Sequence, residues 1–310
     1  MSTAGRIATF LGPALALGLA PLLPGLIVRT KSWAAGRQGP PLMQAWYDIA
    51  RLLRKGAVTS RATTWVFRSG PVVGLAACLL ALLLVPSFGA PAPLAFAGDV
   101  ILLVGLLALA RFVTVLAALD TGSSFEGMGA SREAAFSALA EPALLFGLAT
   151  LARACGGTSL SVMLGPSLAG AWLGLGSMVP ALALVLVSLF VLLLAENSRM
   201  PVDDPATHLE LTMIHEVMVL DHSGPDLAFI EYAAAIKLWI FEALLVGLAL
   251  PVRTGQPLAD AAIFLLGMAL TSVAVGLVES TMARLQLPRV PQLLLGASVL
   301  SGFGLILTLR

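Results

Sequence analysis

Ala171-Trp-Leu-Gly-Leu-Gly-Ser-Met-Val-Pro-Ala-Leu-Ala-Leu-Val-Leu-Val-Ser-Leu-Phe-Val-Leu-Leu-Leu-Ala195 runs for 25 residues without one charged side chain. About 20 apolar residues suffice for a helix to cross ~30 Å of hydrocarbon. Lipid offers no partner to a free N–H or C=O, so such a run must be helical. The same reading extends outward along the chain. Comparable runs lie at approximately 7–28, 68–88, 98–118, 134–154, 233–251, 259–279 and 291–309. The 310-residue chain is 58% hydrophobic and 11% charged. Soluble domains carry about 25% charged residues, so an ordinary soluble globule is excluded. The expected architecture is all-α. It is a polytopic membrane helix bundle of about eight transmembrane helices, with an interfacial amphipathic helix and a polar cytoplasmic loop, forming a single membrane domain over 1–310.

Net charge is +1, which gives no global field for nucleic acid. Cys78 and Cys155 both fall in apolar stretches, and no cysteine spacing suggests a metal site or a disulfide framework. The first apolar run follows Arg6 and meets no small-residue cleavage site before Pro21 and Pro24, so it reads as an uncleaved span. Gly89-Ala-Pro-Ala-Pro93 marks a turn between the second and third spans. Residues 156–170, rich in Gly and Ser, read as a loop or a re-entrant piece.

Lys and Arg placement sets orientation. The first connection, 29–65, holds Arg29, Lys31, Arg37, Arg51, Arg54, Lys55 and Arg61 against Asp48 alone. Later odd connections hold Arg132, then Arg199 and Lys237, then Arg284 and Arg289. The even ones hold essentially Arg153 and Arg253. The odd loops are therefore expected in the cytoplasm and both termini outside. Within 40–56, Leu42, Trp46, Ile49 and Leu53 recur at helical spacing, with Pro opening the helix and Gly closing it. That pattern suits an interfacial helix and a docking surface for a peripheral subunit alike.

Charges inside spans are costly, so each is a functional candidate. Arg111, Glu141, Glu196, Glu242 and Glu279 qualify; the plainer reading is ion pairs that join helices, or snorkelling near span ends. The polar loop 196–232 is the densest region. From Glu196 to Glu231 it packs eight acids into 36 residues, with His208, His215 and His222. Neighbouring carboxylates titrate as coupled groups and histidine titrates near neutrality, which suits a proton relay; the plainer reading is a solvated loop. The histidines stand seven apart, without the three- or four-residue spacing of metal ligands on one helix face. Ser198, His208 and Asp203 lack a nucleophile elbow. Gly122-Ser-Ser-Phe-Glu-Gly-Met-Gly129 lacks the Lys-Ser/Thr ending of a phosphate loop and reads as a flexible loop before the fourth span.

The loop beginning at Glu196 resembles the hallmark loop of the NADH dehydrogenase subunit 1 family of respiratory complex I. Glu196, Arg199, Pro201, Asp203, Pro205, Glu210 and Leu211 fall at matching places. Further matches follow in family order: Arg37-Gln-Gly-Pro40 with Gln44, Asp48 and Leu52-Leu-Arg-Lys55; Gly129-Ala-Ser-Arg132 with Glu141-Pro142; Glu231-Tyr-Ala233; and Pro288-Arg289 with Gln292. They cover roughly residues 25–295. The chain departs from that pattern at Val202, Asp204, His208 and Gly56. Glu196 to Pro225, Leu119 to Phe125 and Ala130 to Glu133 are more similar to the membrane subunits of group 4 [NiFe]-hydrogenases of the hydrogenase-4 and formate hydrogenlyase type. Those enzymes pass electrons to protons, so the departures speak against quinone as a partner.

The resemblance implies an anchor and coupling subunit in the cytoplasmic (inner) membrane of a prokaryote. It would dock hydrogenase large and small (iron–sulfur) subunits and join them to antiporter-like membrane subunits. The chain itself would bind no cofactor and complete no reaction; iron–sulfur clusters and [NiFe] would sit on partners. By matching position, Glu196, Arg199, Asp203 and Glu210, with Arg132, Glu141 and Glu231 around them, would form the proton relay; Arg111, as a charge inside a span, and Asp204 and His208, in the acid-rich loop, complete the candidate set. Arg199 and Arg132 would hold carboxylates ionised. Arg37, Gln44, Asp48, Arg51 and Lys55 would serve docking. The alternatives are a quinone-site subunit of a complex I type NADH dehydrogenase, a standalone ion-coupled secondary transporter, and a purely structural anchor. Transporters often show internal repeats, and no convincing repeat stands out here.

Overall fold

The computed structural model describes residues 3–173, 178–203, 213–251 and 254–309. Among them there is no strand, only helices joined by turns and one isolated bridge between Ser87 and Ala90. The helices are α1 (Thr3–Leu19), α2 (Leu22–Ala34), α3 (Gln44–Leu53), α4 (Trp65–Leu82), α5 (Asp99–Asp120), α6 (Ser124–Cys155), α7 (Leu160–Met163), α8 (Pro166–Leu173), α9 (Met178–Glu196), α10 (Pro225–Ala249), α11 (Pro257–Thr281) and α12 (Val290–Thr308). Seven of the described helices are long and apolar enough to cross a membrane. The bent pair α1–α2 supplies an eighth crossing if it is one span. The chain is a multi-pass membrane protein of the expected all-α class.

The first crossing is broken by 48° where α1 meets α2. Pro21 begins the second piece and has no N–H for the Leu17 carbonyl four residues back. In lipid a stranded carbonyl is expensive, and here two aromatic side chains reach the bend. The Tyr232 hydroxyl from α10 donates to the Leu17 carbonyl at 2.9 Å. The Trp46 indole from α3 donates to the Gly18 carbonyl at 3.1 Å. Their rings also meet, with centroids 5.8 Å apart. The amphipathic helix is thereby fixed against the bundle, with Ile49 buried and Leu42 and Leu53 exposed.

Two boundaries differ from the sequence reading. The supposed loop at 122–129 is helical from Ser124, so α6 begins ten residues before the apolar run at 134. Tertiary contact decides this. Glu126 is buried and accepts the Asp221 backbone N–H at 3.1 Å. Gly129 lies so close to Val217 and the Ile214 carbonyl that any Cβ would collide. The polar loop is likewise shorter than 196–232, because α10 starts at Pro225 and carries Glu231 and Tyr232. Residues 156–173 contain the two short helices α7 and α8. Asp99, fully buried at the start of α5, accepts from Ser159 Oγ and from Leu160 N, both at 2.7 Å, and pins this piece to the bundle.

At the other side of the bundle, α12 packs into α6 and α9. Buried hydroxyls bind the three together. Ser301 donates to Ser188 at 2.7 Å, Ser188 to the Ala297 carbonyl at 2.9 Å, and Ser298 to the Leu139 carbonyl at 3.0 Å. Each such bond contributes about 0.6–2 kcal/mol between membrane helices.

The bend gives a direct test. Tyr232→Phe keeps the ring and strands the Leu17 carbonyl, at a cost of about 1–3 kcal/mol. Thermal unfolding in detergent should begin several degrees lower, and Trp46→Phe should add to the loss. Unchanged midpoints in both variants and in the double variant would remove the two bonds from any account of the bend.

Candidate functional site

The charged residues converge at the end of the bundle where α6 begins and α9 ends. Arg111, in the second half of α5, is the hub. Its Nε meets Glu133 at 3.3 Å, its Nη1 meets Glu141 at 2.9 Å and its Nη2 meets Glu196 at 2.7 Å. Glu133 and Glu141 sit two turns apart on one face of α6, and Glu196 closes α9. The guanidinium's planar fork is suited to several carboxylates at once. Glu196 extends the chain to Lys237 of α10 at 2.8 Å. Four transmembrane helices are thus joined through two cations, Arg111 and Lys237.

The chain also runs outward. Glu133 meets His215 Nε2 at 3.2 Å, and His215 Nδ1 meets Asp203 at 3.2 Å. Asp203, 2% exposed, accepts the backbone N–H groups of Ile214 and His215 and pairs with Arg284 at 2.9 Å. Burial opposes charge on both partners. It is outweighed at His215 by Glu133 and Asp203, which raise the imidazole above its usual range. At Asp203, burial is outweighed by His215 and Arg284, which hold the carboxyl below its usual range. Arg132 donates to the Met213 carbonyl at 2.9 Å, fastening this loop to α6.

A second group lies beside the first. Glu279 of α11 meets Lys31 of α2 at 3.0 Å and Arg199 at 3.6 Å. Deeper along α11, Ser272 donates its hydroxyl at 2.8 Å to Glu242 of α10, which is fully buried. A cavity of about 690 Å³ borders both groups. Arg111, Glu133, Glu196, Arg199, Asp203 and Glu231 line its polar side, and Val28, Ile49, Leu75 and Cys78 its apolar side.

Of the relay residues expected from sequence, Arg111, Glu141, Glu196, Arg199 and Asp203 enter these ion pairs. Glu141 keeps 41% of its side chain exposed. Glu231 lines the cavity from an exposed position on α10. Asp204, His208 and Glu210 lie outside the described residues. The remaining two histidines go separate ways: His215 joins the chain, whereas His222 stacks on Phe67 at 3.9 Å, and burial pushes it down to about 4. Among the described residues no group of three or more His, Cys, Asp or Glu side chains could hold a metal ion. Of the docking set, Gln44 donates to Asp48 at 3.0 Å and Arg51 pairs with Asp48 at 3.0 Å, while Arg37 and Lys55 are exposed. Glu133, His215, Lys237, Arg284 and Lys31 are absent from the relay expected on sequence grounds. In the sequence, Lys31, Lys237 and Arg284 read only as topology charges; for Glu133 the available signals are its place in the Ala130–Glu133 resemblance and its helical spacing to Glu141.

Comparison with known proteins places this geometry. The model of the family described as NADH dehydrogenase matches residues 8–309. Hydrogenase-4 component C of Escherichia coli (strain K12) is 32% identical over 274 residues, 86% of this chain and 84% of that protein. Formate hydrogenlyase subunit 4 of the same organism is 30% identical over 292 residues, 92% of this chain and 91% of that protein. The same fold occurs in a chain of the membrane-bound sulfane sulfur reductase, an archaeal respiratory membrane complex. The TM-score is 0.82 at 19% identity, covering 98% of this chain and 99% of that one. With a match along nearly its whole length, the chain belongs to the NADH dehydrogenase family of membrane subunits.

Proposed function

We propose that the chain is the membrane anchor and coupling subunit of an energy-converting hydrogenase complex in the inner membrane of a prokaryote. The similarity to hydrogenase-4 component C and formate hydrogenlyase subunit 4 supports the choice of complex. The observation that carries a coupling role is the unbroken run of contacts from Asp203 and His215, through Glu133 and Arg111, to Glu141, Glu196 and Lys237. A charge placed near the loop end is felt along this run, because each carboxylate shares a cation with the next. The partners in this reading are hydrogenase large and small iron–sulfur subunits, which hold the clusters and [NiFe], and antiporter-like membrane subunits. The peripheral subunits dock on the 29–65 segment, where Arg37, Arg51 and Lys55 are exposed, and that segment faces the cytoplasm with both termini outside.

A second reading has one observation in its favour. A cavity of about 690 Å³ with an apolar side and a charged side has the size and character of a small-molecule site, which suits a quinone. Lipid extracts of the purified complex should contain no stoichiometric quinone under the hydrogenase reading. Bound quinone together with NADH-oxidising subunits would replace that reading with the complex I type.

The relay is tested by Glu141→Gln and Asp203→Asn in the intact complex, reconstituted in vesicles. Removing one partner from a buried pair costs about 3–5 kcal/mol, which applies to Asp203; the partly exposed Glu141 loses less. Hydrogen evolution should continue while ion uptake falls by roughly tenfold or more in each. Full ion uptake in both variants, with all subunits still present, would defeat the relay. A lower yield of complex with unchanged uptake per complex would make the charges purely structural.

His215 gives an independent check through pH. Its pKa is raised on folding, so its contribution is complete below about 6.5 and is lost as pH rises through the folded value. The thermal midpoint of the complex should therefore decline above neutrality. His215→Gln should flatten that decline and lower the midpoint on the acid side. An identical pH profile in the variant would contradict the raised imidazole.

A further inference from the structure

Arg153 takes no part in the charged network. It lies exposed in the last turn of α6, at the far end of the bundle from Glu133. Twenty residues separate the two, about 30 Å at 1.5 Å per residue, which is the thickness of a hydrocarbon core. With Glu133 at one boundary, the Arg153 guanidinium stands at headgroup depth in the opposite leaflet. Among the described residues it forms no ion pair. A basic residue at a helix C-terminus complements the helix dipole, and that alone would account for its charge.

The surface around it adds a second observation. A groove of about 630 Å³ runs along the exposed face of α6, passes Arg153 and reaches the backbone turn at Gly156, Gly157 and Thr158. Leu145 and Ala149 form its floor, with Ile101 of α5 on one wall and Leu305 of α12 on the other. Ile101 is 73% exposed and Leu145 48% exposed, so the trough opens sideways into lipid. From Leu145 to Arg153 is about 12 Å along the helix.

We propose that this groove binds a membrane phospholipid, with an acyl chain in the trough and the phosphodiester on the Arg153 guanidinium. Arginine matches phosphate through two parallel N–H donors. The bilayer supplies that anion at this depth, and the apolar floor below it matches the chain. A helix of a neighbouring membrane subunit is the other occupant that such a groove could seat.

The purified complex, delipidated and titrated with phosphatidylglycerol, is weighed intact by native mass spectrometry. Diacylglycerol serves as the ligand without a phosphate. The parent should retain phosphatidylglycerol and release diacylglycerol. Arg153→Gln removes a charge-assisted contact and should weaken phosphatidylglycerol retention roughly tenfold. Arg153→Lys should recover part of it. Ala149→Phe fills the floor while keeping the cation and should displace the lipid with all subunits in place. Equal phosphatidylglycerol retention in Arg153→Gln and the parent would overturn the proposal. Loss of a membrane subunit in Arg153→Gln or Ala149→Phe would also overturn it, by showing that the groove seats a protein.

Discussion

The arrangement at the charged end depends on one guanidinium in a low-dielectric setting. Arg111 cannot shed its proton and, at that position, cannot reach bulk water without leaving Glu133, Glu141 and Glu196 unpaired. Neither can the carboxylates be removed from it cheaply, since a lone buried charge costs several kcal/mol. The starting register of α6 and the end of α9 are therefore set by the same requirement. Glu133 and Glu141 must both face α5, and Glu196 must arrive at the last turn of α9. Lys237 completes the balance from α10. Hydrophobic burial gives little drive between helices in lipid, so such polar contacts carry more of the specificity than they would in a soluble bundle.

The second organising device is the bend of the first crossing. Pro21 frees a carbonyl, and Tyr232 and Trp46 satisfy the two carbonyls at the break. This holds α2, α3 and α10 around the cavity while leaving the bend open to it. Pro24 and Gly25 of α2 border that space, and Gly25 has the Leu42 backbone against it, closer than any Cβ would allow. The cavity thus borders the second fragment of the broken crossing, with α3 and α10 beside it.

Much of this is legible in the sequence, and the remainder is hidden for physical reasons. Apolar run length locates every long crossing, because the bilayer demands it. Arg111, Glu141 and Glu196 are conspicuous one by one, because charge in an apolar run is costly. Their mutual pairing is not legible, since it depends on how helices far apart in sequence rotate against each other. Lys31 and Lys237 sit near span ends, where a basic residue is the expected topology signal, so a partner such as Glu279 or Glu196 is masked by a sufficient simpler reason. The start of α6 escapes the sequence because Glu126 and Gly129 are polar and small, and only the Ile214–Met218 segment makes them interior.

The depth of the ionisable groups constrains what a relay can do. On α6 the last of them before Arg153 is Glu141, about 20 Å short of the helix end at Cys155 by helical rise. On α11, Ser272, the partner of Glu242, stands about 10 Å below Glu279 and about 20 Å from the helix start at Pro257. α9 and α12 contain no Lys, Arg, Asp or His, and their one acid is Glu196 at the charged end. The buried polar groups beyond that depth include the Ser188, Ser301 and Thr150 hydroxyls, which are bonded within and between helices. About two-thirds of a hydrocarbon thickness therefore remains ahead of Glu141 on α6, whereas Glu242 stands only about 10 Å from the α10 end at Ala249. Beyond Glu141 and Glu242, the described ionisable groups stand at the opposite helix ends, with Asp99 at the start of α5, Asp260 in the first turn of α11 and Arg153 in the last turn of α6. In the proposed relay, a signal that enters at Asp203 passes through His215, Glu133 and Arg111 to Glu196 and Lys237, and so spreads across α5, α6, α9 and α10. Ion pairs that tie four helices together near one end of the bundle suit the proposed coupling element between a redox arm and separate ion carriers.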